Sequence, residues 1–173
     1  MKTMSASLRF APMSLAVLDE PFDHDDFIFE LKYDGFRALA NVDGGRCRLI
    51  SQPPRIHDVP RTLHRDRSSP AWPVSAGRRD RLFGQGWRDL MRRRAPQYFY
   101  AFDPLWADGQ DLRGLPLIKR KRLLKKIVKS PVLFADHLAG RGVDLFRAVC
   151  QRDLEGIVAK AARGLYRPEN NLG

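Results

Sequence analysis

Cysteine is scarce. Cys47 and Cys150 are the only two, without metal-ligand spacing and too few for a disulfide framework, so the expectation is a pair of reduced, buried thiols in a cytoplasmic protein. No apolar run approaches the length of a membrane span, which leaves no expectation of membrane insertion. The opening stretch MKTMSASLRFAPMSLAVLDE lacks a continuous apolar core and a small-residue cleavage site, so it does not read as a signal peptide. Internal repeats and low-complexity tracts are absent too. The sharpest absence is local: between Gln52 and Gly86 there are seven Arg and three Asp but no Lys and no Glu. Elsewhere Lys and Glu occur in ordinary numbers.

What is present suits one domain with a hydrophobic core: 173 residues, 43% of them hydrophobic. The formal charge of +11 favours a polyanionic partner, nucleic acid first. Part of that excess comes from the anomalous 52–86 segment.

Along the chain, β-favouring residues at Phe27 to Leu31 and Phe36 to Val42 predict strands flanking a Tyr33-Asp34-Gly35 turn. NVDGG then turns into a further strand, RCRLIS, with Cys47, Leu49 and Ser51 on one face. Residues 52–86 carry Pro53, Pro54, Pro60, Pro70 and Pro73 without helical or alternating periodicity. They read as a long irregular loop, unusual inside a compact domain. GWRDLMRRR predicts a short helix. YFYAFDPLWADG predicts a strand with Tyr98, Tyr100 and Phe102 on one side, turned by Asp108-Gly109. Pro116 suits the first turn of a helix over LPLIKRKRLLKKIVKS, with Ile118, Leu123, Leu124 and Ile127 as its stripe. A strand at PVLFADH, a helix around GVDLFRAVCQRD with Leu145, Phe146, Val149 and Cys150 on one face, and a strand at LEGIVAK complete the chain.

Three places hold candidate chemistry. Lys32 ends an apolar strand, where partial desolvation would lower its pKa and expose a neutral amine as nucleophile. Gly35 allows close approach of a ligand, and Arg37 offers a fork for phosphate or ribose oxygens. Glu155 and Lys160 bracket a short strand and point opposite ways by parity, unless one lies beyond its end; a carboxylate there suits Mg²⁺ and an ammonium suits phosphate. Phe102 could stack on a base. Each has an ordinary reading alone: a strand-end lysine reaching for water, a turn, a core strand with polar ends.

In order, KxDGxR, FDxLxxDG and EGIVxK form a series that resembles the adenylation domain of ATP-dependent DNA ligases, most closely the bacterial end-joining type. The resemblance runs from about Met13 to Arg167, apart from the anomalous segment. It implies an α+β fold of antiparallel sheets with flanking helices, the ligase nucleotidyltransferase fold, incomplete here. It also implies ATP and Mg²⁺ as cofactors, nicked or broken double-stranded DNA as partner, and end-joining proteins as associates. Lys32 would carry AMP, Glu30 would lie beside the adenine, and Arg37 would contact ribose or phosphate. Phe102 would stack on the base, Glu155 would help bind metal, and Lys160 would contact the α-phosphate. Arg92, Arg93, Arg94 and the Lys119 to Lys126 helix face are candidate DNA-phosphate contacts. A non-catalytic nucleic-acid-binding remnant and an RNA ligase or capping-type nucleotidyltransferase remain as alternatives.

Three departures set the chain apart from the pattern. Gln52 stands where the family usually has Arg. No Asp-Gly-Glu occurs between Ser51 and Phe102. The chain stops at RPENNLG before a Trp-Leu-Lys-x-Lys strand and an OB-fold domain. A one-base shift of codons for GRRDRLFGQG, Gly77 to Gly86, reads Asp-Gly-Glu-Ile-Val-Cys-Leu-Asp-Arg. Residues from about Gln52 to Gly86 therefore read as translated out of frame within a single partial domain spanning 1–173, with a divergent surface insertion, an Arg-rich DNA-binding loop, as the alternative. Loss of that inner strand and of the last motif strand would expose sheet edges and part of the core, leaving a marginally stable or partly disordered chain with adenylation weak or absent.

Overall fold

The computed structural model describes residues 13, 15–33, 35–43, 46–51, 55–58, 79–87, 99–129 and 132–167. In chain order the elements are β1 (His24–Leu31), β2 (Gly35–Asp43), β3 (Arg46–Ser51), β4 (Arg55–Asp58), β5 (Arg79–Trp87), β6 (Phe99–Ala107), β7 (Gln110–Asp111), α1 (Leu117–Ile127), β8 (Val132–Phe134), β9 (His137–Gly140), α2 (Gly142–Cys150) and β10 (Ile157–Ala161). A small sheet runs β10-β1-β9, and a large one runs β4-β3-β2-β5-β6-β7 with β8 beside β6. The expected α+β architecture of antiparallel sheets and flanking helices is what the chain adopts. One pair departs from it. β8 lies parallel to β6, Phe99 opposite Val132, because α1 supplies the crossover that a parallel return needs.

The alternation of β2 sorts the large sheet into two faces. Ala38, Ala40 and Val42 join Phe99, Ala101, Leu124 and Val132 in the core beneath α1. Leu39 turns the other way, onto Leu105, with Ile50, Phe102 and Tyr166 against them. Register shifts between β5 and β6 put Leu105 on the same side as Phe102 despite their odd spacing.

Several expectations need correction. Residues 52–86 are not one irregular loop: β4 pairs with β3, and β5 lies between β2 and β6. The inner position of the sheet is thus filled. Main-chain hydrogen bonding makes this tolerable for a sequence with little strand character, since pairing on both edges satisfies donors and acceptors whatever the side chains. Gly86 and Trp87 end β5 and do not open a helix; the remainder of that expected helix, with Arg92, Arg93 and Arg94, lies outside the described residues, as do Asp34, Gly44, Gly45 and Tyr98. PVLFADH is two strands. Ala135 still donates to the Ala101 carbonyl at 2.9 Å, and the chain then crosses to the small sheet as β9.

The buried stripe of α1 is Leu117, Arg120, Lys121 and Leu124, whereas Leu123 is exposed. The first amides of α1, Leu117 and Ile118, donate to the carbonyls of Gly164 and Ala162, so the segment after β10 satisfies that helix end. Cys150 is exposed, not buried: on α2 the turn that buries Val149 carries its neighbour outward. Gly142, at the start of α2, leaves no room for a side chain, since a Cβ would meet the Phe29 ring. Among the described residues no helix is long and apolar enough to cross a membrane.

Candidate active site

β1 is buried through Ile28, Phe29 and Glu30 and emerges at Lys32, just past its end. The Lys32 amide donates to the Gly156 carbonyl at 2.9 Å, extending the β1–β10 ladder by one rung. Gly156 has φ +149°, a conformation side chains rarely adopt, and there the chain bends away from the strand. Glu155 therefore escapes the alternation of β10, which settles the parity question: it lies beyond the strand end, and Lys160 lies within it. The Glu155 carboxylate meets the Lys32 ammonium at 2.6 Å.

Lys32 was expected to be desolvated. Its side chain is 44% exposed and ion-paired, because it extends past the last strand residue into water.

Behind this pair lies a buried cluster. Lys160 pairs across from Ile28, on the face of the small sheet that also carries Glu30. Its ammonium donates to Glu30 Oε2 at 2.6 Å and sits 4.3 Å from the centre of the Phe102 ring. Lys121, from α1, donates to Glu30 Oε1 at 2.6 Å and to the Ala135 carbonyl at 2.7 Å. Burial pushes the Lys121 pKa down, and the Glu30 carboxylate opposes that. Beside it Arg120 grips Asp103 with two bonds, 2.7 and 2.8 Å, and also donates to the Leu115 carbonyl. Burial pushes the Asp103 carboxyl upward, and the Arg120 fork opposes it.

The structure thus brings Lys32 to Glu155, and Glu30 to Lys160 and Phe102. Arg37 is half-buried on the Leu39 side of β2 and donates to the Met13 carbonyl at 2.9 Å. Lys121, Arg120 and the Tyr33–Tyr100 stack, with ring centres 4.1 Å apart, were not foreseen. The spacing of Leu117, Arg120, Lys121 and Leu124 along one helical face was the available signal.

Both Tyr33 and Tyr166 have phenol pKa values pushed up to about 12, chiefly by burial. An unfolded phenol ionises near pH 10. Between those values the unfolded state has lost protons that the folded state keeps, so stability falls as pH rises from 10 towards 12. Urea midpoints on either side of pH 10 check this; a midpoint that holds or rises as the phenols titrate would contradict it.

The sequence profile described as "ATP dependent DNA ligase domain" matches residues 77–172, more than half of the chain. The chain belongs to the ATP-dependent DNA ligase domain family. Among curated relatives, the SPbeta prophage-derived DNA ligase-like protein LigB of Bacillus subtilis is 26% identical over 167 residues, covering 90% of this chain and 62% of that protein. The multifunctional non-homologous end joining protein LigD of Mycolicibacterium smegmatis is 30% identical over 155 residues, 81% of this chain and 20% of LigD. A solved structure of mycobacterial DNA ligase D complexed with ATP and MES superposes with a TM-score of 0.76 at 25% identity, covering 91% of this chain and 56% of that one. The chain therefore spans less than two thirds of these ligases.

Mg²⁺ fits this site only in company with a substrate. Among the described residues no three metal-binding side chains converge, and Glu155 is the one carboxylate at the exposed rim beside Lys32. A single carboxylate plus phosphate oxygens is an ordinary way to hold Mg²⁺, which would arrive with ATP.

Proposed function

We propose that the chain carries out, in impaired form, the first two steps of an ATP-dependent DNA ligase: it forms lysyl-AMP on Lys32 and passes AMP to a 5′-phosphate at a DNA nick. The observation that carries this is the Lys32–Glu155 pair at the mouth of the Glu30–Lys160–Phe102 cluster. A nucleophile, a carboxylate suited to a metal and a cation are parts that attack on an α-phosphate uses, and an aromatic face suits the base.

The Lys32 amine, once its ion pair opens and its proton passes to solvent, attacks the α-phosphorus. The N–P bond forms as the bond to the β-phosphate oxygen breaks, and pyrophosphate leaves. Mg²⁺ held through Glu155 and the phosphates would spread the developing negative charge. Phe102 offers its ring to adenine, Glu30 accepts from the base, and Lys160 turns from Glu30 to the α-phosphate. Arg37 binds ribose or phosphate after leaving the Met13 carbonyl. The exposed residues of α1, Lys119, Arg122, Lys125 and Lys126, offer a DNA-phosphate surface.

Chain labelled with α-phosphate-labelled ATP, freed of nucleotide and mixed with nicked duplex, should pass its label to the 5′-phosphate. Label that never reaches DNA would contradict the ligase reading, and salt-dependent DNA binding without any labelling would favour a non-catalytic remnant.

Residues from about Gln52 to Gly86 are proposed to be out of frame, which would account for the missing Asp-Gly-Glu and for a slow reaction. A restored glutamate would fall at position 79, which now pairs with Asp43 at the end of β2 far from Gly35. The proposal therefore includes a shifted register for that strand. Sequencing the gene from the Leu49 codon to the Arg94 codon should reveal compensating single-base changes; a gene that reads as translated would refute it.

A further inference from the structure

The two oxygens of Glu30 are held by lysines of unequal freedom. Lys121 is 1% exposed, comes from α1 and has a second anchor in the Ala135 carbonyl, with the Phe134 ring 4.8 Å from its ammonium. Lys160 is 21% exposed, and its ammonium is held by Glu30 and lies against the Phe102 ring, with the Asp103 carboxylate close enough to feel its charge. Its ammonium marks a position where a hydrogen-bond donor meets Glu30 Oε2 while lying against an aromatic face. The exocyclic amine of adenine, with the purine stacked on Phe102, meets both requirements; guanine places a carbonyl at the corresponding edge.

We propose that Lys121 is a positioning residue that sets the preference of the site for adenine over guanine by fixing Glu30 as a charged acceptor when Lys160 departs. The inference rests on the adenylation reading and assigns Lys121 a part in it. In the adenylation reading Lys160 leaves Glu30 for the α-phosphate, and the base takes its place beside Phe102. When it leaves, a carboxylate that is only 4% exposed keeps one cation, Lys121, and the freed Oε2 faces the base. Without Lys121 two poor outcomes remain. The buried carboxylate then either retains Lys160, so that the base position stays filled, or loses the contact that holds its free oxygen towards the base.

The test is equilibrium binding of ATP and GTP to the intact chain and to Lys121→Met and Lys121→Arg variants. The intact chain should prefer ATP by roughly 10- to 100-fold, the range of one hydrogen bond to a charged group. Lys121→Met should reduce the preference to within about twofold, and Lys121→Arg, which retains the charge, should preserve most of it. If Lys121→Met does not fold, Lys121→Gln, which retains a donor beside Glu30 but not the charge, carries the same expectation. A folded Lys121→Met chain with undiminished preference for ATP overturns the proposal. So does an intact chain that binds both nucleotides equally, and ATP labelling of that chain then shows whether the adenylation reading survives: label means it does, and absence of label sinks both.

Discussion

Lys32→Ala should abolish labelling of the chain by ATP, a loss of roughly three orders of magnitude or more, as expected when a covalent nucleophile is removed. The fold should hardly notice. The Lys32–Glu155 ion pair is at the rim, with the lysine side chain 44% exposed, and exposed pairs contribute about 0–1 kcal/mol. Thermal unfolding of the variant should therefore match that of the intact chain. Labelling that persists in a folded Lys32→Ala chain would move the chemistry to another residue. Loss of labelling together with loss of folding would mean that Lys32 supports the structure.

Glu30→Ala should show the opposite balance, with the largest effect on stability. The Glu30 carboxylate serves two lysines at 2.6 Å each, and one of them, Lys121, is almost wholly enclosed. Removing the carboxylate leaves that ammonium with the Ala135 carbonyl and the Phe134 ring, in a place where water does not reach it. Breaking a buried pair from one side costs about 3–5 kcal/mol. Lys160→Ala should cost much less, because Glu30 keeps Lys121 and the space left opens towards the site. Urea denaturation of the two variants compares them directly, and equal midpoints would show that the cluster does not depend on Glu30 in this way.

These two residues also show what the sequence makes legible. Lys32, Glu155 and Lys160 were singled out because they stand in the short motifs KxDGxR and EGIVxK, whose order resembles the ligase series, and short motifs survive any rearrangement of the rest of the chain. Their mutual geometry was less accessible. Parity places Glu155 and Lys160 on opposite sides, and only the bend at Gly156 returns the carboxylate to Lys32. Lys121 was hidden for a different reason: apolar periodicity counts a lysine as surface, so the stripe of α1 was drawn through Leu123 rather than through the two cations that are buried. The charges are stable there because Glu30 and Asp103 come from strands distant in sequence, which no local pattern reveals.

The strands divide in the same manner. β1, β2, β3, β6 and β10 have alternating or β-favouring residues and were readable. β5 does not, and its place between β2 and β6 rests on main-chain pairing along both edges. The break between β8 and β9 has neither glycine nor proline to announce it. It is a change of partner sheet at Ala135 and Asp136, a tertiary event.

The most direct measurement is to incubate the intact chain with ATP and Mg²⁺, digest it, and locate the AMP adduct by mass spectrometry. The account predicts a single adduct on Lys32, slow to form and lost on exposure to acid. An adduct on Lys121 or Lys160, or no adduct at all, would contradict it.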